Sequence, residues 1–175
     1  MVKQLMEQHR EAEAVLRAAL VGTLGLVDSD GSPYVVPLNY VYIPEQQFRE
    51  RFAFAAECPG AIGRIIFHCA LGGRKLDCLA HEPRVCFNAY REVRMAYSGD
   101  KACDCTCRYE SATCFGTARI VDDHAEKVAL LTALSMHYMQ REIDPPGDER
   151  TRKTGVVEIV VTGLTGKRNV DPPGK

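Results

Sequence analysis

The segment Arg64-Ile65-Ile66-Phe67-His68-Cys69-Ala70-Leu71-Gly72-Gly73-Arg74-Lys75-Leu76 carries a buried-strand pattern through a glycine pair into the basic start of a helix. Such a turn can hold an anion. Glycines let the backbone approach a ligand closely, the first free N–H groups of a helix point outward, and Arg74 and Lys75 add positive charge beside them, so a phosphate fits there. The same residues also fit an ordinary strand-to-helix turn with two solvated cations, and the spacing matches neither a P-loop nor a dinucleotide fingerprint. His68 adjoins this turn and could donate or position a proton, although a lone histidine on an apolar strand also fits a structural role. In an extended strand Phe67 and Cys69 share one face and His68 takes the other.

A second set of reactive residues is Cys103-x-Cys105-x-Cys107, with Cys114 downstream. Alternation on a strand would turn these thiols to one face, able to present three thiolates to a metal. The spacing is that of neither zinc ribbons nor common iron–sulfur ligation, and the same thiols fit reduced structural or redox-sensitive roles. Cys58, Cys69, Cys78 and Cys86 read as small buried hydrophobes, and His9, His81, His124 and His137 as surface residues on predicted helices or their ends.

The elements that must position these groups are mostly strands. Met6, Val15, Leu16, Ala19 and Leu20 recur at helical spacing, which predicts an amphipathic helix over about 5–20. Thr23 to Val27 and Tyr34 to Ile43 read as a hairpin about the turn Asp28-Ser29-Asp30-Gly31, with Pro37 requiring an edge, a bulge or a ligand on the second strand. Residues 44–63 read as an excursion with one helical turn. Strands follow at 64–69 and 84–90, with a short helix from Gly73 to about Ala80 between them. Arg91 to Cys107 reads as a polar loop. A long strand then runs from Tyr109 to Val121 with a bulge at Gly116, and Asp122-Asp123 caps a helix to about Arg141. The last strand is 155–161, and the tail of about 169–175 should fray at Pro172-Pro173. Six strands with hairpin-type connections and three helices favour a mainly β (α+β) fold, a six-stranded antiparallel barrel with flanking helices.

At 175 residues the chain fits a single domain over 1–175, and a net charge of −1 gives no global attraction to nucleic acid or to an anionic membrane. No apolar run reaches the eighteen or so residues of a membrane span, and Glu7, His9, Arg10, Glu11 and Glu13 interrupt any N-terminal signal core, so the chain reads as cytoplasmic. There the eight cysteines should stay largely reduced.

The order of motifs is itself informative. Gly22-Thr23-Leu24-Gly25-Leu26-Val27, Gly31-Ser32-Pro33-Tyr34-Val35-Val36-Pro37-Leu38-Asn39-Tyr40-Val41-Tyr42, Phe67-His68 with Gly72-Gly73-Arg74-Lys75-Leu76, Pro83-Arg84-Val85-Cys86-Phe87, Phe115-Gly116-Thr117-Ala118 and Leu164-Thr165-Gly166-Lys167-Arg168 follow one another. Together they resemble the pyridoxamine 5′-phosphate oxidase-like FMN-binding split barrels, and within them the nitroimidazole-resistance (Nim) branch. The resemblance covers about residues 15–168. The long segment between Tyr42 and Phe67, where that branch usually has a tight hairpin, and the cysteines at 103, 105 and 107 depart from it.

The resemblance implies a homodimer with FMN at the subunit interface, acting on a small organic molecule as a flavin-dependent oxidoreductase, with two-electron reduction of a nitro-aromatic as one form of that chemistry. Lys75, Arg74 and the N–H groups after Gly72 would clamp the phosphate. Val36-Pro37-Leu38-Asn39 would run beside the flavin ring, Phe67, His68, Cys69 and Ser111 would join the cofactor site, and His68 would be the catalytic candidate. Two other classes remain beside this one: a non-catalytic flavin or haem binder, and a cysteine-based metal module. No nicotinamide-binding fingerprint is present.

Overall fold

The computed structural model describes residues 4–6 and 9–170. Its elements run β1 (Gln4–Met6), α1 (His9–Ala18), β2 (Gly22–Val27), β3 (Pro33–Leu38), β4 (Val41–Pro44), α2 (Glu45–Arg51), β5 (Gly63–Cys69), α3 (Arg74–His81), β6 (Arg84–Tyr97), β7 (Cys105–Ile120), α4 (His124–Met139), α5 (Asp148–Arg152) and β8 (Gly155–Asn169). All pairings are antiparallel and lie in one sheet, in the order β3-β2-β6-β7-β8-β5-β4, with β1 on the far end of β8.

The two ends of that path, β3 and β4, are consecutive in the chain. Only Asn39 and Tyr40 separate Leu38 on one edge from Val41 on the other, a gap of at most about 11 Å. The sheet therefore curls until its edges meet at a seam that carries no ladder among the described residues. This is the split barrel expected from the motifs. Among the described residues it has eight strands rather than six, because the seam cuts the expected 34–43 strand in two and Gln4–Met6 pairs with β8 at 166–168. That pairing also shortens the first helix to His9–Ala18, since residues on a free strand edge gain ladder bonds that helical propensity does not offset.

Side chains on the concave side of the sheet form one core. Leu24, Ile65, Phe67, Phe87, Cys114 and Ile159 meet there, and α1 closes it with Ala12, Val15 and Leu16. A second core lies outside the barrel, where Val41, Ile43, Ile66 and Val156 pack under Phe48 of α2 and Leu130 and Leu134 of α4. Covered on both sides, β5 reads as a continuous apolar run. Asp123 caps α4 by accepting from the Glu126 N–H at 2.9 Å, as its sequence predicts.

Three stretches differ from expectation. The supposed loop of 91–107 is mostly strand, for β6 runs to Tyr97 and β7 starts at Cys105, past a bulge between Arg91 and Arg94 and around a 3-10 turn at Ala102–Asp104. Val93 and Met95 alternate with Glu92 and Arg94 there, a period-two pattern that outweighs the abundance of charge. Strand β8 extends past its expected end at Val161 to Asn169, paired with β7 across the expected bulge at Phe115/Gly116. Pro172 and Pro173 lie outside the described residues.

The 44–63 excursion is anchored electrostatically. Arg64, 3% exposed, donates to both carboxylate oxygens of Glu45 at 2.7 and 2.8 Å, and its other amine lies 3.5 Å from Glu158, which is 2% exposed. Arg119 bonds the same Glu158 at 2.6 Å and reaches Glu126 on α4 at 2.8 Å. The network joins α2, β5, β8, β7 and α4. Within it each buried charge is met by an opposite one, the condition under which such charges are tolerated.

Candidate functional site

The β5–α3 turn is open. Gly73 has φ of 120°, a conformation that favours glycine, and it starts α3 with no side-chain cap. A Cβ built on Gly72 or Gly73 would meet nothing within 4 Å. The first internal bond of the helix, from the Leu76 N–H to the Gly73 carbonyl at 2.8 Å, leaves the Arg74 and Lys75 N–H groups pointing beyond the helix end. The Lys75 ammonium stands 5.3 Å from the centre of the Phe67 ring and makes no ion pair among the described residues. It also bears on Cys69, whose thiol is pushed up by burial and pulled partly back by the Lys75 charge. An open glycine cradle, unused N–H groups and an unpaired cation together suit a phosphate.

The opposite side of β5 opens on a different space. His68 is exposed there, above a cleft of about 540 Å³ bounded by Asn39 at the seam, by Leu131, Leu134, Ser135 and Tyr138 of α4, and by Arg150 of α5. Tyr138 also fastens the seam. Its hydroxyl accepts from the Tyr40 N–H at 2.9 Å and has the carbonyls of Leu20 and Tyr40 within donating distance, at 2.5 and 3.0 Å. Tyr40 in turn donates to the Leu16 carbonyl at 2.7 Å, and burial raises its phenol well above the ordinary range. Of the two residues that leave one sheet edge for the other, Tyr40 is thus held from α1 and α4, and Asn39 beside it lines the cleft.

The model of the family described as pyridoxamine 5′-phosphate oxidase matches residues 8–168. The chain belongs to that family. Solved structures agree in fold. A candidate 5-nitroimidazole antibiotic resistance protein of Bacteroides thetaiotaomicron is 24% identical, covering 95% of this chain and 87% of its own, with a TM-score of 0.73. A FAD and heme binding protein of Mycobacterium smegmatis is 17% identical over 98% of this chain and 76% of its own, with a TM-score of 0.73. The flavocytochrome Anf3 of Azotobacter vinelandii is 18% identical over 98% and 72%, with a TM-score of 0.71. No curated protein sequence matches the chain.

Among the residues that the family resemblance singles out, the structure brings several together. Phe67, Cys69 and Lys75 converge on the barrel side of the turn, while Asn39 and His68 share the cleft. Val36 and Leu38 face the barrel core, Leu38 buried and Val36 partly so, and Pro37 faces outward on the edge strand β3. Arg74 is placed differently from the expected clamp. Its Nε donates to Asp28 of the β2–β3 turn at 2.7 Å and its guanidinium lies 4.5 Å over the Tyr34 ring, so its charge is shared with a carboxylate. Ser111 sits in register with Tyr90 on the outward side of β7 and donates to the Lys167 carbonyl at 3.2 Å.

Cys105 is exposed and Cys107 half-buried, while the side chain of Cys103 lies outside the described set. No group of three or more His, Cys, Asp or Glu among the described residues could share a metal ion. Cys78 is buried as expected, but Cys58, Cys69 and Cys86 are half-buried. His124 pairs with Asp148 at 3.1 Å, and His137 is half-buried on α4, its imidazole lowered by desolvation.

Sequence reasoning missed the cleft's second wall. Leu131, Ser135, Tyr138 and Arg150 carry no motif. One signal was available: Val128 to Leu131 and Ala133-Leu134 put apolar residues around much of α4, so that helix needs cover on more than one side.

Proposed function

We propose that the chain binds FMN between the edge strand β3 and the β5–α3 turn, as a homodimer, and works as a flavin-dependent oxidoreductase on a small organic molecule. The observation that carries this reading is the open Gly72-Gly73 cradle beside the unpaired Lys75 ammonium. FMN requires a phosphate clamp, a backbone edge and an apolar wall, and the chain offers all three. Lys75 and the leading N–H groups of α3 hold the phosphate. Among the described residues strand β3 pairs only with β2, so backbone groups on its open edge are available to a ring, and Pro37 removes one donor from that row. Val36 and Cys69, both half-buried, would supply the wall, with fully buried Phe67 packed behind Lys75.

The dimer reading rests on the outward face of β3, β2, β6 and β7. Val35, Gly25, Cys86 and Phe115 form one register row, and Val35, Phe115 and nearby Tyr90 are 64%, 51% and 56% exposed. A row of large apolar groups on a sheet face is the kind of surface a second subunit covers. Ser111 lies on the same face, where it would meet the partner's half of the site.

Bound FMN supplies hydride and electron transfer. Lys75 would orient it by its phosphate, and His68, on the cleft side of β5, would hold a proton at an imidazole nitrogen where substrate would lie. His68→Ala should leave FMN bound and lower kcat by about 10²–10⁴ for a confirmed substrate. A flavin-replete variant with an unchanged rate would reduce His68 to a wall residue.

A second reading, a flavin or haem binder without turnover, is favoured by the exposure of His68 to a cleft of this size, since an accessible imidazole can ligate haem iron. Bleaching by NAD(P)H and reoxidation by an added acceptor would select the enzyme. A Soret band in the purified protein would select the haem binder.

A further inference from the structure

The wall of the cleft formed by α4 and α5 carries chemistry that FMN binding leaves unused. Leu131, Leu134, Met139, Ile143 and Pro146 make it apolar over much of its surface, and about 540 Å³ is enough for a substituted ring. Against that apolar wall stands Arg150. Its neighbours have partners, for Glu149 is held by Lys153 at 2.6 Å and Asp148 faces His124 at 3.1 Å, but Arg150 makes no ion pair among the described residues. Asp144, also on the cleft wall, likewise makes none. An exposed arginine with no ion pair among the described residues, lining an apolar slot, matches a carboxylate on a ring, because the guanidinium fork binds both carboxylate oxygens at once. One uncommitted carboxylate nearby opposes a second negative charge.

We propose that this cleft is the substrate site and takes an aromatic monoanion, its carboxylate on Arg150 and its ring against Leu131 and Leu134, with the far end of the ring toward His68 and Asn39. The assignment of the occupant as a substrate rests on the flavin reading above. The binding chemistry rests on Arg150 and the cleft alone.

Calorimetry on the protein as purified, with its flavin content read from the visible spectrum of the same sample, separates the two. The probes are 4-nitrobenzoate, nitrobenzene and the dianion 4-nitrophthalate. The acid should bind at least about tenfold more tightly than nitrobenzene. Arg150→Gln should remove that preference while leaving nitrobenzene affinity unchanged, and Asp144→Asn should improve binding of the dianion. Equal affinity for acid and neutral probe, or a preference that survives Arg150→Gln, overturns the proposal. A colourless protein that keeps an Arg150-dependent preference supports the acid site and removes the flavin. A yellow protein without the preference keeps the flavin and removes the acid site.

Discussion

On the outer side of β4, β5 and β8, Val41, Ile66 and Val156 lie under α2 and α4, whereas on the outer side of β3, β2, β6 and β7, Val35, Tyr90 and Phe115 face solvent. The covered region is completed within one chain: helices bury its apolar residues, and the Glu45–Arg64–Glu158–Arg119–Glu126 network fixes how they sit. The uncovered region has comparable apolar groups and, among the described residues, no covering element. The same alternation of side chains thus serves folding on one part of the sheet and, in the proposed dimer, association on the other. The candidate site lies between the two regions, at the seam and the end of β5.

This contrast predicts which property each substitution should change. The largest effect on folding belongs to the covered side. Arg64→Ala leaves Glu45 without its partner and buried Glu158 with Arg119 alone, and should cost about 3 kcal/mol of stability in denaturant unfolding. A loss below about 1 kcal/mol would mean that the network is not what holds α2.

Next comes the turn. Lys75→Ala should weaken FMN binding by about ten- to a hundredfold, the equivalent of ~1.5–3 kcal/mol, while riboflavin affinity stays the same. Equal losses for both ligands would take the phosphate away from this turn. At the seam, Tyr138→Phe leaves the N–H of fully buried Tyr40 without its acceptor and should cost about 1–3 kcal/mol.

The uncovered face should respond in the opposite sense. Phe115→Glu should change unfolding of the single chain by no more than about 0.5 kcal/mol, yet convert a dimer to monomer in sedimentation. Strong destabilisation with the oligomeric state unchanged would erase the distinction between the two regions.

The smallest effect concerns pH. Hydrogen bonds from the Arg84 side chain and N–H bring the Glu82 carboxyl down to about 2 from its ordinary 4.5. Because the folded value is depressed, the stabilisation is complete above the ordinary value and fades as pH falls from 4.5 toward 2. Glu82→Gln should flatten the acid limb of the stability curve slightly over that interval. An unchanged limb would assign the link no role.

Local pattern made much of this arrangement legible. The glycine pair, the basic helix start, the Asp123 cap and the Phe115/Gly116 bulge each depend on residues within a few positions of one another. Pro37 called for an edge, a bulge or a ligand, and β3 is an edge strand. What escaped the sequence depends on distant partners. Arg74 reads as a clamp until Asp28, 46 residues away in sequence, takes its guanidinium. Arg64 reads as a strand residue flanking the motif until Glu45 and Glu158 surround it. The cleft needs α4, α5 and β5 at once, and no spacing within a single element encodes that meeting.

The most direct test of the central claim is the visible spectrum of the purified protein, followed by mass identification of what it releases on denaturation and by titration of the stripped protein with FMN. The account predicts a yellow protein that releases FMN and, once stripped, takes it up again in a manner that depends on Lys75. A colourless protein that takes up no FMN, or one that binds it equally well as Lys75→Ala, would contradict the account.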